Sequence, residues 1–374
     1  MLDVALKILK ELTDHSYKAY IVGGFVRDQL LGIESNDIDI TTNATPKEIK
    51  EIFEDSCLPT EDYGSVTVCK KGINFEITTF RKEIEYQDNR KPVEIKYIDD
   101  LYTDLIRRDF TINSLCMDDQ GNIIDFLNGK DDIDNKIIRT IGDANQKFSE
   151  DSLRILRAVR FSTVLGFKLS DEVIDAIKEN KYLVKNLSYY RKKSELEKIF
   201  ISPNRKYGIQ LLIDLGLDED LELPNLKKLL EIDTTSLIAM WYILDVSDKF
   251  PFNKNELDLM SDVSNVIEVN NFDPMALYKY GLYANSVAGE IKKLDLKAIS
   301  ESYAALVVKS RKEIDIDAED IMNILNLKPG KYLKDIISDV EREILYRRLE
   351  NKKESICNYI IKNYEGIDFD EEYK

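Results

Sequence analysis

Two aspartates separated by one apolar residue, Asp37 and Asp39, have the types and spacing that most directly suggest chemistry in this sequence. Alternate side chains of a β-strand point to the same face, so both carboxylates would share one face while Ile38 and Ile40 enter the core. Two carboxylates so placed can hold magnesium ions, which lower the pKa of an attacking hydroxyl and neutralise phosphate charge. The pattern alone is weak evidence, because a chain with 70 acidic residues produces such pairs by chance.

A glycine pair, Gly23-Gly24, precedes these aspartates and follows a β-like run from Ala19 to Val22. Glycines let the backbone approach a phosphate closely, and the free amides at a helix N-terminus bind anions. Arg27 lies one turn into the helix predicted after the pair and can add a forked cationic contact. A glycine pair before a helix is commonly just a tight turn. The order of strand, glycine pair, helix and aspartate-bearing strand is nevertheless far less accidental than a glycine pair alone.

Two further segments contain clustered charges. The run from Arg107 to Asn113 reads Arg-Arg-Asp-Phe-Thr-Ile-Asn, and a salt-bridged loop is the simplest interpretation of its first three residues. The segment 150–161 reads Glu-Asp-Ser-Leu-Arg-Ile-Leu-Arg-Ala-Val-Arg-Phe, and we predict that it is helical. Asp151 and Arg154 would then lie on one polar side at i, i+3 spacing. An exposed ion pair of this kind is common and contributes only about 0.3 to 0.5 kcal/mol.

Together these segments resemble the polymerase-beta nucleotidyltransferase superfamily, in the form shared by class II CCA-adding enzymes and bacterial poly(A) polymerases. The resemblance covers residues 19–165 and fades afterwards. It implies Mg2+ as the cofactor, with Asp37 and Asp39 as catalytic metal ligands. In the superfamily a third carboxylate often comes from a neighbouring strand, for which Glu76 is our candidate. A solvent-facing strand glutamate is an equally good interpretation of the pattern around Glu76.

The resemblance also implies which residues bind the nucleotide. Those expected to hold the triphosphate and the catalytic geometry are Gly23, Gly24, Arg27, Arg108 and Asn113. Asp109 would take a head-to-neck or sugar-side position, and Arg157 and Arg160 would complete the nucleotide pocket.

Asp151 and Arg154 resemble the amino-acid template that this family uses to choose the incoming base. Cytosine and adenine both present an exocyclic amine donor, beside a ring-nitrogen acceptor. Asp151 would accept from the amine, and Arg154 would donate to the ring nitrogen. Uracil and guanine present the reverse polarity, and mismatched buried polar groups commonly cost ~1 to 3 kcal/mol each. One site could therefore accept CTP and ATP while refusing UTP and GTP.

The segment from Glu85 to Pro92 resembles the family's flexible loop, which relatives need for the final A and which is shortened in enzymes that add only CC. Its presence argues against a CC-only enzyme. The segment from Lys185 to Lys198 resembles the family's neck, but Tyr190-Arg191-Lys192 replaces the usual Glu-Arg-Ile. We therefore transfer no residue roles there.

The composition limits the classes of protein. One histidine, His15, excludes histidine triads and histidine-based metal sites, and four scattered cysteines favour buried thiols over a zinc site. No apolar run approaches the ~20 residues of a membrane span and no signal peptide is evident, so we expect a cytoplasmic protein without membrane contact. The net charge of −17 argues against a polyanion partner. Local basic clusters must offset it if the partner is tRNA.

The alternation of strand and helix signals predicts an α+β multidomain protein. We expect a mixed α/β nucleotidyltransferase head at 1–140 and an all-α remainder, because strand signals fade after Ser149. The remainder comprises a neck with the base-selecting helix at 141–205, a body at 206–300 and an RNA-holding tail at 301–374. The sequence leaves the oligomeric state undetermined.

The expected function is untemplated addition of CCA to the tRNA 3′ end from CTP and ATP, with release of pyrophosphate. An A-adding enzyme with a separate CC-adding partner and a poly(A) polymerase are the alternatives within the family. An antibiotic nucleotidyltransferase would share only the metal motif. A catalytically silent RNA-binding relative is disfavoured by the intact Asp37 and Asp39.

Overall fold

The computed structural model describes residues 1–54, 57–62, 64–87 and 91–367, with the backbone alone at 57–62, 83–87 and 91–94. The chain forms two compact units. The first comprises Met1–Leu230 with Lys249–Pro251, and the second comprises Glu231–Asp248 with Phe252–Lys374. The expected mixed α/β fold with a helical remainder is confirmed. The finer division into head, neck, body and tail stays a prediction.

The strands that the structure describes all lie in the first unit. They are β1 (Ala19–Val22), β2 (Asp39–Thr42), β3 (Cys57–Asp62), β4 (Ser65–Lys70), β5 (Ile73–Thr79), β6 (Arg81–Gln87), β7 (Lys91–Tyr97), β8 (Cys116–Met117), β9 (Ile123–Ile124), β10 (Ile137–Ile138) and β11 (Lys168–Leu169). Seven of them form one sheet in the order β3-β4-β5-β2-β1-β8-β9. Within it β2 pairs antiparallel with β1 and parallel with β5. The strands that carry the candidate residues Asp39 and Glu76, β2 and β5, therefore lie in the interior of the sheet.

The helices of the first unit are α1 (Leu2–Asp14), α2 (Gly24–Leu30), α3 (Pro46–Ile52), α4 (Leu101–Ile106), α5 (Gly129–Asp134), α6 (Ala144–Glu150), α7 (Leu153–Leu165), α8 (Asp171–Asn180), α9 (Tyr189–Phe200), α10 (Arg205–Asp214) and α11 (Leu217–Asp220). The sequence Thr45-Pro46-Lys47-Glu48 predicts a helix start with a capping box, and the structure confirms it at α3, where Thr45 and Glu48 form that box around Pro46. On α7 the helical spacing of Ile155, Leu156 and Val159 predicts one apolar arc, and all three side chains are fully buried.

The second unit is helical throughout its described part. Its helices are α12 (Leu237–Leu244), α13 (Lys254–Ile267), α14 (Pro274–Lys292), α15 (Leu296–Ala304), α16 (Ala318–Leu325), α17 (Tyr332–Leu345) and α18 (Lys353–Tyr364). Two apolar clusters hold it together, one around Val263 and Val287 and one around Ile336 and Ile356. None of the helices in the described part of the chain is long and apolar enough to cross a membrane.

Three predicted elements differ from the structure. The β-branched residues at 137–141 predict a strand over that whole range, but β10 ends at Ile138 and pairs with β11 outside the main sheet. Most of the segment expected to be a loop, 85–92, instead belongs to the paired strands β6 and β7, and 88–90 lie outside the described residues. The helix expected across 150–161 begins only at Leu153, because α6 ends at Glu150 and the chain turns between the two helices.

Candidate active site

The predicted metal ligands lie at the start of β2. Ile38 and Ile40 are buried, while Asp37 and Asp39 are exposed, so the predicted alternation is confirmed even though β2 begins only at Asp39. The parallel register places Glu76 of β5 directly opposite Asp39. Although Asp39 reaches an open cavity, surrounding protein atoms limit its hydration. This desolvation, followed by the charges of Asp37 and Glu76, raises the pKa of Asp39 to about 6.

The glycine pair forms the turn from β1 into α2. Gly23 is the residue before the helix and has φ 84° and ψ −137°, a conformation that is accessible essentially to glycine. A Cβ on Gly23 would lie 3.9 Å from both Arg108 Nη1 and Asp39 Oδ2, so the turn brings the backbone close to the Asp39 carboxylate. The predicted loop and helix are therefore correct, and Gly23 is required for its backbone conformation.

Arg27 is buried beneath this turn and already has protein partners. Its Nε and Nη2 donate to Asp28 Oδ1 at 2.8 and 2.7 Å, and its Nη1 donates to Asn113 Oδ1 at 2.6 Å. The guanidinium also lies 5.3 Å from the ring centroid of Phe161. Arg27 is consequently held in one orientation before any ligand binds.

The arginine pair after α4 is held by a buried aspartate. Asp104 accepts from Arg107 Nε and Nη2 through Oδ1 at 3.0 and 2.8 Å, and from Arg108 Nη2 through Oδ2 at 3.3 Å. The Nε of Arg108 is buried without a hydrogen-bond partner among the described residues. A buried donor without a partner is costly. A phosphate oxygen is a ligand that could satisfy Arg108.

Asp109 connects the arginine motif to α7. Its Oδ2 accepts from Arg157 Nε at 2.6 Å, and its Oδ1 accepts from the Phe110 amide at 2.9 Å and from Asn113 Nδ2 at 3.3 Å. Burial alone would raise the pKa of Asp109, but the Arg157 charge and these hydrogen bonds hold the pKa below its ordinary value. Of the two positions expected for Asp109, this geometry matches the head-to-neck one.

The two predicted base-reading residues both line the cavity but do not pair with each other. Asp151 lies in the turn before α7, where its Oδ1 accepts from the Leu153 amide at 3.0 Å. Arg154 Nη1 donates to Glu150 Oε2 at 2.9 Å, so the anticipated Asp151–Arg154 pair is replaced by Glu150–Arg154. Desolvation is the main reason that the pKa of Asp151 is raised. One amide occupies only part of the acceptor capacity of a carboxylate, so Asp151 can accept from a further donor.

Arg157 and Arg160 extend along α7 beside Phe161. Arg160 Nε donates to Glu195 Oε2 at 2.5 Å, and its guanidinium lies 3.9 Å from the Phe161 ring centroid. Arg157 lies 5.3 Å from the same centroid. Cation–π contacts of this kind orient arginines at a desolvated aromatic face. Phe161 thus organises several of the predicted arginines, although the sequence marked it only as a helix position.

A cavity of about 760 Å³ brings these side chains together. This volume is within the range of pockets that bind small molecules, about 300 to 1,000 Å³. The predicted residues that line it are Gly23, Gly24, Arg27, Asp37, Asp39, Arg108, Asn113, Asp151, Arg154, Arg157 and Arg160. Glu76 is not among the lining residues and reaches the site only as the strand neighbour of Asp39.

The lining explains how an acidic protein can attract a polyphosphate. Eight arginines and five aspartates line the cavity, whereas the whole chain has a net charge of −17. Closely placed charges in a partly enclosed site act more strongly than distant, screened ones. The local balance therefore favours an anion such as a triphosphate.

Three functional candidates were not assigned from the sequence: Glu150, Phe161 and Arg191. Glu150 holds Arg154, and the charge of Arg191 lowers the pKa of Asp151 against the larger effect of desolvation. Glu150 could have been found from the sequence, because it stands next to Asp151 in the charged segment 150–161. Arg191 lies on α9, in the segment that departs from the family pattern, so only its place in the cavity identifies it.

The carboxylates fit a divalent metal that shares its coordination with a substrate. Desolvation is the main reason that the pKa of Asp39 is raised, and the negative charges of Asp37 and Glu76 add to it. Among the residues that the structure describes, no group of three or more acidic, histidine or cysteine side chains is close enough to form a metal site alone. Magnesium commonly binds one or two carboxylates together with substrate phosphates, and the arginine-rich cavity beside Asp39 has room for such phosphates.

The family described as Poly A polymerase head domain matches residues 19–139, which contain the carboxylates and the glycine turn. The family described as Probable RNA and SrmB- binding site of polymerase A matches 166–229, and tRNA nucleotidyltransferase domain 2 matches 248–360. These matches span both compact units.

Curated and solved relatives agree with these matches. The CCA-adding enzyme of Ligilactobacillus salivarius (strain UCC118) is 34% identical over 380 residues, covering 94% of each chain. That of Bacillus pumilus (strain SAFR-032) is 35% identical over 386 residues, covering 95% of this chain and 96% of that protein. The crystal structure of the Bacillus stearothermophilus CCA-adding enzyme in complex with CTP superimposes with a TM-score of 0.85 at 28% identity, covering 96% of both chains. Nucleotidyltransferases of this kind require a divalent metal. The chain therefore belongs to the CCA-adding enzymes, a family of tRNA nucleotidyltransferases.

Proposed function

We propose that this chain adds C, C and A in turn to the 3′ end of tRNA from CTP and ATP, without a nucleic-acid template, and releases pyrophosphate. The observation that carries the proposal is that one cavity contains all three groups of residues. Asp37 and Asp39 lie there beside the arginines expected to bind the triphosphate and beside Asp151 and Arg154, which are expected to read the base. Cytoplasmic localisation is part of the proposal.

Asp37 and Asp39, with Glu76 alongside, would hold two Mg2+ ions. When bound, the ions lower the pKa of the tRNA 3′-hydroxyl and neutralise charge on the departing pyrophosphate. Arg108 offers to a phosphate oxygen its buried Nε, which has no hydrogen-bond partner in the described part of the chain. Because Asp104 fixes Arg108 from behind, little side-chain entropy remains to be lost when the triphosphate binds.

Asp151 and Arg154 would select the base by hydrogen-bond polarity. Glu150 and the carbonyl oxygens of Lys147 and Arg107 hold the Arg154 guanidinium, so its direction is set before a base arrives. Asp151 remains an acceptor for the exocyclic amine that cytosine and adenine share. A fixed donor beside a fixed acceptor penalises uracil and guanine, which present the opposite polarity.

Replacing Asp37 with alanine tests the metal assignment. We expect loss of CMP and AMP incorporation, while tRNA binding, measured by filter retention, largely survives. Asp134→Ala is the matched control, because Asp134 is an exposed aspartate at the end of α5 and outside the cavity. Incorporation by Asp37→Ala near the wild-type rate would show that this carboxylate is not a metal ligand.

Assays on three RNAs separate the alternatives within the family. The substrates are tRNA that ends before the first C, tRNA that ends after CC, and a generic RNA. CCA addition predicts three nucleotides on the first and one on the second. An A-adding enzyme would extend only the second, and a poly(A) polymerase would extend the generic RNA with a long A tract.

A further inference from the structure

Two cations bind the carbonyl groups at the C-terminal end of α4. Lys147 Nζ donates to the Ile106 carbonyl oxygen at 2.7 Å, and Arg154 Nη2 donates to the Arg107 carbonyl oxygen at 2.9 Å. The last carbonyls of a helix have no partner within the helix and carry partial negative charge, so cations are favourable there. α4 is therefore held at this end by two residues from α6 and α7.

The same two residues also bind each other and a shared carboxylate. Arg154 Nη1 donates to the Lys147 carbonyl oxygen at 3.0 Å and to Glu150 Oε2 at 2.9 Å. Lys147 Nζ lies 3.7 Å from the same Glu150 oxygen. These contacts form a closed ring, which we call the α4 clamp: Lys147, Glu150, Arg154 and the carbonyls of Ile106 and Arg107.

Burial makes the α4 clamp sensitive to loss of a member. Lys147 and Arg154 are only 7% and 6% exposed. Lysine is almost never buried without a partner, because leaving water disfavours its charge. The positive charge of Lys147 is consequently stabilised by its contacts with the Ile106 carbonyl and Glu150 rather than by water.

The α4 clamp joins the two ends of the nucleotide site. At one end, Arg154 lines the cavity as a base-reading residue; at the other, Arg107 and Arg108 follow α4 and are held by Asp104 of that helix. Misplacement of about 1 Å can cost a hundredfold in rate when a substrate must be aligned at several points. The separation between the base-reading and triphosphate residues therefore depends on the clamp.

We propose that Lys147 is a positioning residue for base selection. It fixes the C-terminal end of α4 against Arg154, so that the base-reading and triphosphate-binding residues keep the separation that one nucleotide requires. The proposal rests on the proposed function of Arg154. Lys147 does not touch the nucleotide, because it does not line the cavity. It acts through Arg154 and through the end of α4.

The test measures nucleotide discrimination by variants of the whole chain. On tRNA that ends before CCA, the measured quantity is the ratio of kcat/KM for CTP to kcat/KM for UTP. On tRNA that ends in CC, it is the ratio of kcat/KM for ATP to kcat/KM for GTP. This ratio does not depend on the concentration of active enzyme, so a partly unfolded variant does not distort it. The variants are Lys147→Met, Lys147→Gln and Lys147→Arg, with Lys178→Met as a matched control at an exposed position on α8.

We expect Lys147→Met and Lys147→Gln to lower the discrimination ratio by about tenfold, since each weakens the cationic hold on the carbonyl. Lys147→Arg keeps a cationic donor and should restore the ratio to within about twofold of wild type, as should Lys178→Met. A purely structural lysine would lower thermal stability without changing the ratio. An unchanged ratio in Lys147→Met and Lys147→Gln overturns the proposal.

Arg154→Ala separates this proposal from the one on which it rests. If Arg154→Ala relaxes discrimination but the Lys147 variants do not, Lys147 is not a positioning residue and the base-reading assignment survives. If Arg154→Ala leaves discrimination unchanged, the base-reading assignment fails, and the proposal for Lys147 fails with it.

Discussion

Asp109→Asn should destabilise the first compact unit, because it removes the charge that balances Arg157 in a largely buried pair. Asp109 is 7% exposed, and its Oδ2 lies 2.6 Å from both Nε and Nη2 of Arg157. Asparagine keeps the size of the side chain but replaces one oxygen with an NH2 group. Removing one partner of a buried pair typically costs about 3 to 5 kcal/mol.

The geometry of the pair places the expected cost at the lower end of this range. The Arg157 side chain is 33% exposed, so water can solvate part of the charge that Asp109→Asn leaves unpaired. We therefore expect a loss of about 3 kcal/mol in the free energy of unfolding. This is a large share of the ~5 to 15 kcal/mol that stabilises a typical domain.

The pH dependence follows from the lowered pKa of Asp109. A carboxyl whose pKa is lower when folded stabilises the protein above its unfolded pKa of about 3.9 and loses that contribution as pH falls through the folded value. The gap in stability between wild type and Asp109→Asn should therefore be constant near neutral pH. It should narrow only in strongly acidic solution.

Urea unfolding followed by far-UV circular dichroism measures this difference, with Asp134→Asn as the control for an exposed aspartate. Arg157→Met and the double variant complete a thermodynamic cycle. A loss below about 0.5 kcal/mol in Asp109→Asn, the usual size of a surface substitution, would refute the reasoning. So would a cycle in which the two substitutions add without coupling.

Three further predictions concern the site. Gly23→Ala should lower kcat/KM for CTP by at least about tenfold, measured by steady-state incorporation, because φ 84° and ψ −137° suit only glycine. Glu150→Gln should relax the preference for CTP over UTP, because Arg154 loses its carboxylate; an unchanged preference in competition assays would contradict this. UTP misincorporation should increase as pH falls from neutral. The pKa of Asp151 is raised, so this carboxyl becomes protonated at higher pH than an ordinary aspartate. The protonated carboxyl can donate to the uracil carbonyl. A pH profile of the CTP to UTP ratio that stays flat would exclude that explanation.

Local periodicity made part of the site predictable. The alternation of Asp37 and Asp39 with buried isoleucines depends only on the two-residue period of a strand, and the capped start of α3 depends on residues within one helical turn. The turn at Gly23-Gly24 before α2 also follows from local chemistry, and Gly23 adopts a positive φ there. Such features require no knowledge of the rest of the chain.

Partners between distant segments required the tertiary structure. The sequence suggested Glu76 only by its place in a strand pattern, whereas the parallel pairing of β5 with β2 sets it opposite Asp39. The Asp109–Arg157 pair likewise joins residues 48 positions apart. Spacing along one element carries no information about such contacts, because they depend on how separate elements pack.

The amino-acid sequence by itself determined the family, the metal-binding carboxylates as candidates and the order of the nucleotide-binding segments. Only the tertiary structure decided that Arg154 is bound to Glu150, that Arg191 lines the cavity and that an acidic chain concentrates eight arginines at one place. The physical reason is that side-chain type and local spacing are encoded residue by residue. Ion-pair choice and local charge density emerge only when α4, α6, α7 and α9 pack around one cavity.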